Sequence, residues 1–250
     1  MKFLNEKPAL LLDELEKRTL VISDLHLGME YEIYRKGISI PPRAEKQKKR
    51  ILQLIGDTEA ERLIMLGDVK HNVPRISISE KENIPDFFKD LCKEVEVEAI
   101  KGNHDGGIEK LTEGSCVKVK ETDGMRRDKF YFNHGQSWPG EELTGAKILI
   151  RGHSHPAVKF KDDLGFSSTV PCWIRGPINK EKMGKKYGEE ADTVEIITVP
   201  TFNQLITGMP INKEEGHRLL GPVLENGLMN MEESRVYLLD GTFIGKLEDL

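Results

Sequence analysis

This sequence of 250 residues has no long apolar run, no closely spaced pair of cysteines and no excess of basic charge. No stretch approaches the roughly 18 consecutive apolar residues that mark a membrane-spanning helix. The first residues have neither the apolar core nor the small-residue cleavage site of a signal peptide. We therefore expect a cytoplasmic protein with no membrane partner.

Cysteine is scarce, and the sequence has no Cys-x-x-Cys pair. The wide spacing of the cysteines argues against a disulfide framework and against a zinc site built on thiolates. We expect Cys92, Cys116 and Cys172 to be free, half-buried thiols, as in a reducing compartment.

The charge balance excludes a chain-wide electrostatic grip on nucleic acid. The formal net charge is -5, with 38% hydrophobic and 32% charged residues, as in ordinary globular proteins. A local basic groove stays possible under such a balance. The sequence contains no internal repeat and no long linker, so we predict one domain over residues 1–250.

Short apolar runs recur along the chain, and each ends in polar or glycine-rich residues. Their length and their β-branched and aromatic residues are typical of strands. The runs cover residues 19–23, 63–66, 95–100, 130–132 and 148–150.

Helix formers lie between these runs, and the alternation favours an α/β fold. Residues 43–55 place apolar side chains on one helical face, and Pro85 is expected to open a second helix. The basic run 46–50 has two interpretations: a solvated outer face of the first helix or a nucleic-acid contact.

Antiparallel pairing at both ends should make the sheet mixed. Residues 9–12 are predicted to pair with 19–23, and 236–239 with 242–244 across an Asp-Gly turn. The least regular segment, residues 161–192, is interpreted as a hairpin plus a mobile loop.

The histidines indicate where the chemistry lies. Six of the seven lie at or just after predicted strand ends, and His217, the seventh, is given no role. Loops at the carboxyl ends of strands gather along one edge of an α/β sheet, so these side chains can meet. The six are His26, His71, His104, His134, His153 and His155.

Carboxylates and an amide accompany the histidines in these loops, at Asp24, Asp68 and Asn103. Such oxygen and imidazole donors suit divalent ions such as Mn²⁺, Fe²⁺ or Zn²⁺. Each short motif alone could be a turn, a polar loop or a core histidine. Five such motifs at successive strand ends instead predict a metal site, and in such a site one carboxylate can bridge two ions.

The motifs resemble those of the calcineurin-like metallophosphoesterase superfamily. The opening Asp-Leu-His-Leu-Gly and the Gly-Asp-Val-Lys-His segment further resemble a group of archaeal and bacterial phosphoesterases related to the nuclease of DNA double-strand-break repair. The resemblance implies two mixed β-sheets packed as a sandwich and flanked by helices. The matching segments are Asp24-Leu25-His26, Gly67-Asp68-Val69-Lys70-His71, Gly102-Asn103-His104-Asp105, the lone His134 and Gly152-His153-Ser154-His155.

The resemblance also implies a role for each of these residues. Asp68 would bridge two divalent metal ions, with Mn²⁺ expected and Fe²⁺, Zn²⁺ or Ni²⁺ as alternatives. The other implied ligands are Asp24, His26 and His155 for the first ion and Asn103, His134 and His153 for the second. His104 would act on the leaving oxygen, with Asp105 orienting it. His71 would either contact the phosphate or support a ligand.

Three functions are compatible with the sequence. The first is a phosphodiesterase that cleaves DNA or RNA by attack of a metal-bridged hydroxide, aided by a basic groove from residues 43–50 and 180–186. The second is a phosphoesterase for a small nucleotide or a phosphomonoester. The third, of another class, is a non-catalytic binding scaffold. A homo-oligomer is compatible with each of them.

Overall fold

Two β-sheets pack face to face in the computed structural model, which describes residues 1–188, 191–212 and 220–250. His217 lies outside these ranges. Buried side chains from both sheets form the layer between them, including Val21 and Ile64 from one and Phe132, Ile150 and Trp173 from the other. This arrangement confirms the predicted mixed α/β fold with helices flanking two sheets.

The first sheet has the spatial order β1-β2-β3-β4-β5-β6. Strands β3 to β6 are parallel, and β2 is antiparallel to both of its neighbours. The predicted hairpin near the amino terminus is confirmed, with Leu10 opposite Val21. The strands are β1 Lys2–Phe3, β2 Leu10–Leu12, β3 Thr19–Ile22, β4 Arg62–Met65, β5 Glu96–Ile100 and β6 Lys118–Lys120.

The second sheet is also mixed. Strands β8, β9 and β12 run parallel, while β7, β11, β14 and β15 pair antiparallel with their neighbours. The predicted carboxyl-terminal hairpin is confirmed as β14 and β15. The strands are β7 Met125–Arg127, β8 Phe130–Asn133, β9 Ile148–Arg151, β10 Pro156–Lys161, β11 Ser167–Pro177, β12 Glu195–Thr198, β13 Met209–Pro210, β14 Arg235–Leu238 and β15 Phe243–Lys246.

Helices cover the outer faces of the sheets. The predicted helix over 43–55 is confirmed as α2, which buries Ile51, Leu54 and Ile55. No helix within the described ranges is long and apolar enough to cross a membrane. The helices are α1 Met29–Arg35, α2 Ala44–Thr58, α3 Ile78–Leu91, α4 Glu109–Thr112, α5 Lys180–Tyr187 and α6 Pro222–Glu225.

The start predicted for the second helix was wrong, because α3 begins at Ile78 and contains Pro85 in its interior. The Ser77 side chain accepts from the Glu80 amide, and the Glu80 carboxylate accepts in return from the Ser77 amide. This capping box begins the helix upstream of the proline. Pro85 lies on the exposed side, where the carbonyl that loses its donor can bond to water.

The prediction for segment 161–192 was half right. Strands β10 and β11 form the expected hairpin. The rest contains helix α5 instead of a loop, because the Asn179 side chain caps the helix and Met183 is buried beneath it. Residues 189–190 lie outside the described ranges.

The cysteine prediction was wrong for two of the three residues. Cys92, at the end of α3, forms a disulfide with Cys116, and their Cα atoms are 5.7 Å apart. The two are 24 residues apart in sequence, and only the fold of the chain between them brings them together. Cys172 is a free thiol, but it is fully buried within β11. The cysteines therefore give no support for the expected reducing compartment.

Candidate metal centre

Loops that follow five strands meet at one edge of the sandwich. The loops after β3, β4 and β5 come from the first sheet, and those after β8 and β9 come from the second. Backbone hydrogen bonds fasten the first two loops together, from the Asp24 amide to the Gly67 carbonyl at 3.2 Å and from the His26 amide to the Asp68 carbonyl at 2.8 Å. The predicted site residues that follow these strands therefore lie close together, as their positions at strand ends predict.

The first ligand group consists of Asp24, His26 and His155, whose donor atoms all lie within 4.8 Å of one another. Nε2 of His155 is 3.0 Å from Oδ1 of Asp24. Asp24 Oδ1, His26 Nε2 and His155 Nε2 are buried, and within the described ranges none of them makes a hydrogen bond of good geometry, the close approach of Asp24 and His155 included. Buried polar atoms are normally paired, so three unpaired donors facing one another fit a cation.

The second group consists of Asp68, His134 and His153, whose donor atoms also lie within 4.8 Å of one another. Oδ2 of Asp68 is 3.4 Å from Nε2 of His134 and 3.6 Å from Nε2 of His26. One carboxylate oxygen thus lies between a histidine of each group, as a bridging ligand would. Asn103 is exposed and lines the cavity in front of the two groups.

The electrostatics of the cluster suit ligation. Burial opposes the charged form of Asp24, but the charges of His155 and His134 hold its pKa below its usual range. Burial lowers the pKa of His26 to about 3, which leaves the neutral imidazole that a metal requires. Burial also acts to lower the pKa of His134. The charges of Asp68 and Asp24 outweigh this effect and raise the pKa of His134 to about 9.

The backbone is strained where these side chains start. Five of the implied ligands have positive φ angles between 41° and 69°, although none is a glycine. Such angles cost about 1–3 kcal/mol each and cluster at functional sites, where the surrounding structure maintains them. The five are Asp24, His26, Asp68, His153 and His155.

Two glycines of the motifs make room for ligand side chains. A Cβ at Gly102 would lie 2.1 Å from Oδ1 of Asp68, and a Cβ at Gly67 would lie 2.6 Å from the His134 ring. Gly67 also has a φ of +81°, which glycine adopts readily. The glycines that helped to identify the motifs therefore allow the close approach of the loops.

His104 is held beside the two groups. Its amide donates to Oδ1 of Asp68 at 2.9 Å, and its Nδ1 contacts the His71 carbonyl at 2.5 Å. Its Nε2 is directed to the site, 4.0 Å from Oδ2 of Asp68. The ring lines the same cavity as Asn103, which has a volume of about 610 Å³.

Asp105, which is expected to orient His104, acts on the backbone beside it. The Asp105 carboxylate accepts from the amides of Gly102 at 2.8 Å and Lys70 at 3.0 Å. It therefore holds the loop that carries His104, whereas the His71 carbonyl orients the ring. Burial raises the pKa of Asp105 to about 6.

His71 lies behind the first ligand group. Its Nδ1 is 3.2 Å from Nδ1 of His26, and its Nε2 is 2.7 Å from Oε2 of Glu32. Glu32, His71 and His26 thus form a hydrogen-bonded chain that ends at the unpaired Nε2 of His26. This placement favours the supporting role for His71 over direct contact with phosphate.

Sequence reasoning missed Glu32, Thr201 and Asn203. The Thr201 hydroxyl donates to the Asp24 carbonyl at 2.9 Å, and the Asn203 side chain donates to the Leu25 carbonyl at 2.8 Å. Both residues follow β12, an apolar run ending in polar residues that could have been recognised as a sixth strand end. Glu32 lies in the short helix α1, and no local pattern distinguishes it.

Comparison with known proteins identifies the family. The family model described as the calcineurin-like phosphoesterase superfamily domain matches residues 18–182. A search of curated proteins finds no significant match in sequence.

Solved structures show a likeness in fold. The Pseudomonas putida nuclease MPE superposes with a TM-score of 0.55 at 18% identity, over 93% of this chain and 97% of that one. The E. coli phosphoesterase YfcE aligns with a TM-score of 0.41 at 14% identity, over 91% of this chain and 97% of that one. With a family model that matches most of its length, the chain belongs to the calcineurin-like phosphoesterase superfamily.

Proposed function

We propose that the protein is a dinuclear metal-dependent phosphodiesterase that acts on nucleic acid. The observation that carries the proposal is the position of Asp68 Oδ2 between His134 and His26, at 3.4 Å and 3.6 Å. Asp24, His26 and His155 would hold the first ion, Asn103, His134 and His153 the second, and Asp68 both. Two bound cations would supply an activated water and offset the charge of a phosphate group.

The chain's own residues would bind, orient and transfer a proton. Nδ1 of His104 is engaged by the His71 carbonyl, which leaves Nε2 free to face a phosphate above Asp68. When the ring carries a proton on both nitrogens, Nε2 can donate a hydrogen bond or that proton to the leaving oxygen, and Nδ1 keeps its proton on the His71 carbonyl. Loss of this group should reduce turnover without removing metal.

Nucleic acid is the preferred substrate class for two reasons. The P. putida protein, which has a similar fold, is named a nuclease. Unpaired cationic side chains on α2 also lie beside the loop that borders the metal site. A second candidate, a small nucleotide or phosphomonoester, is favoured by the apolar wall of the cavity, formed by Leu205, Ile206 and Met209. That wall could receive a single base or another flat leaving group.

Hydrolysis assays would separate the possibilities. The substrates are a chromogenic phosphodiester, a phosphomonoester, and single- and double-stranded DNA, each with Mn²⁺ and then with Fe²⁺, Zn²⁺ or Ni²⁺. We expect Mn²⁺-dependent cleavage of the diester and DNA. Activity confined to small substrates would favour the second candidate, and no activity with any metal would favour a non-catalytic scaffold.

The matched variant is His104→Ala. We expect it to keep the metal content of the wild type and to lose about 10²–10⁴-fold in turnover, the usual contribution of a general acid. Near-normal turnover would remove His104 from the mechanism.

A further inference from the structure

Three cationic side chains converge on a small cavity next to the metal site. Lys46 and Arg50 lie on one face of α2, and Arg43 is the N-cap residue of that helix, so the three follow the i, i+3 and i+7 spacing. Together with Asn203, Gln204 and Leu205 they line a cavity of about 140 Å³.

These cations differ from the others on the same helix in their partners. Lys48 and Lys49 both pair with Glu45, at 2.7 Å and 3.8 Å. Arg43 and Lys46, in contrast, pair with no carboxylate in the part of the chain that the structure describes. Charge in this cavity is therefore not neutralised from within the described protein.

The remaining polar atoms of the cavity support a ligand there. Nε of Arg43 is a buried donor that finds no hydrogen-bond partner within the described ranges, and an anion would supply the missing acceptor. Arg50 lies over the Phe202 ring, 4.4 Å from its centroid, and donates to the Phe202 carbonyl at 3.2 Å. The Arg50 guanidinium is therefore fixed in place, while Arg43 and Lys46 are free to bind.

The cavity is connected to the metal-site loop. The side chains of Gln47 and Asn203 both donate to the Leu25 carbonyl, at 2.9 Å and 2.8 Å, between Asp24 and His26. Leu205 lines both this cavity and the larger one in front of the metal ligands. An extended ligand could therefore occupy both.

We propose that Arg43, Lys46 and Arg50 form a phosphate-binding subsite for a polynucleotide whose scissile phosphate lies at the metal centre. The subsite would take a neighbouring backbone phosphate, since guanidinium and ammonium groups bind phosphate oxygens by charge-assisted hydrogen bonds. The inference rests on the proposed function, because it presumes that the metal centre holds a phosphodiester.

The test measures binding apart from hydrolysis. Fluorescence anisotropy with a short labelled single-stranded DNA, in EDTA and over a range of salt, compares the wild type with Arg43→Gln/Lys46→Gln. Loss of the contact with this one phosphate should reduce the slope of log affinity against log salt by about 0.7. We expect affinity to fall by about tenfold, while hydrolysis of the small chromogenic diester with Mn²⁺ stays unchanged. Lys49→Gln, on the paired face of α2, is the control and should bind like the wild type.

The outcomes separate the subsite from the proposed function. An unchanged salt slope and affinity in the double variant, or a wild type that binds no DNA, would overturn the subsite even if the diester is hydrolysed. Weaker DNA binding by the double variant would support the subsite even if no hydrolysis is detected. In that case only the proposed function would be contradicted. Thermal unfolding of each variant, followed by circular dichroism, verifies that it is folded.

Discussion

The chain of Glu32, His71 and His26 leads to a prediction about metal affinity. A histidine that binds metal through one nitrogen usually donates its other N–H to an acceptor, which fixes the tautomer and makes the ligand more basic. Here Nδ1 of His26 can donate to His71, and Nε2 of His71 can donate to Glu32 at 2.7 Å. Glu32→Gln removes the charge at the end of this chain but keeps the shape.

The expected loss is about tenfold in affinity for the first metal, or ~1.4 kcal/mol, the low end of the effect of such partners. We choose the low end because Glu32 acts through His71 and its side chain is 46% exposed. The hydrogen bonds from Lys36 and His71 lower the pKa of Glu32 to about 2, so the charge is present at neutral pH.

Competition with a chelating dye, or calorimetry on metal-free protein, measures the effect. Lys36→Met is the matched control, because Lys36 pairs with Oε1 of Glu32 whereas His71 contacts Oε2. That exposed pair contributes little by itself. Wild-type metal affinity in Glu32→Gln, or an equal loss in Lys36→Met, would refute the reasoning.

Three further predictions concern the same framework. Gly102→Ala should abolish metal binding, because its Cβ would lie 2.1 Å from Oδ1 of Asp68; metal analysis showing normal content would contradict this. His134 is protonated at neutral pH in the metal-free protein, with a pKa raised to about 9. Since its neutral form binds metal, binding should release a proton and strengthen as pH rises toward that value; calorimetry showing the same heat in buffers of different ionisation enthalpy would count against it. Replacing both Cys92 and Cys116 by serine should lower the free energy of unfolding by about 3 kcal/mol in urea titrations, and an unchanged midpoint would argue that the disulfide contributes nothing.

The site could be predicted from sequence because its geometry follows from local patterns. An apolar run followed by Asp, Asn or His places that side chain at a strand end, and the strand ends meet at one edge. Asp24, Asp68 and His134 were found in this way, and the structure brings them together. Their metal-binding roles came from the family resemblance and stay predictions.

What the sequence could not reveal depends on contacts between distant elements. Cys92 and Cys116 meet across 24 residues of sequence, and Glu32 of α1 contacts His71 in the loop after β4 across 39. Pro85 predicts a helix start too late in the chain, because the capping box of Ser77 and Glu80 begins α3 upstream of it. The disulfide and the Glu32 contact depend on packing between distant elements. The start of α3 depends on which of two local helix-start signals prevails, the proline or the capping box.

The proposed function depends on one carboxylate, Asp68, holding both metal ions. The most direct test is the metal content of Asp68→Asn compared with the wild type, measured by elemental analysis after gel filtration in Mn²⁺ and supported by titration of each site. We expect two ions per wild-type chain and a joint loss of both affinities in the variant. A variant that keeps both ions, or loses one while the other binds normally, would contradict it.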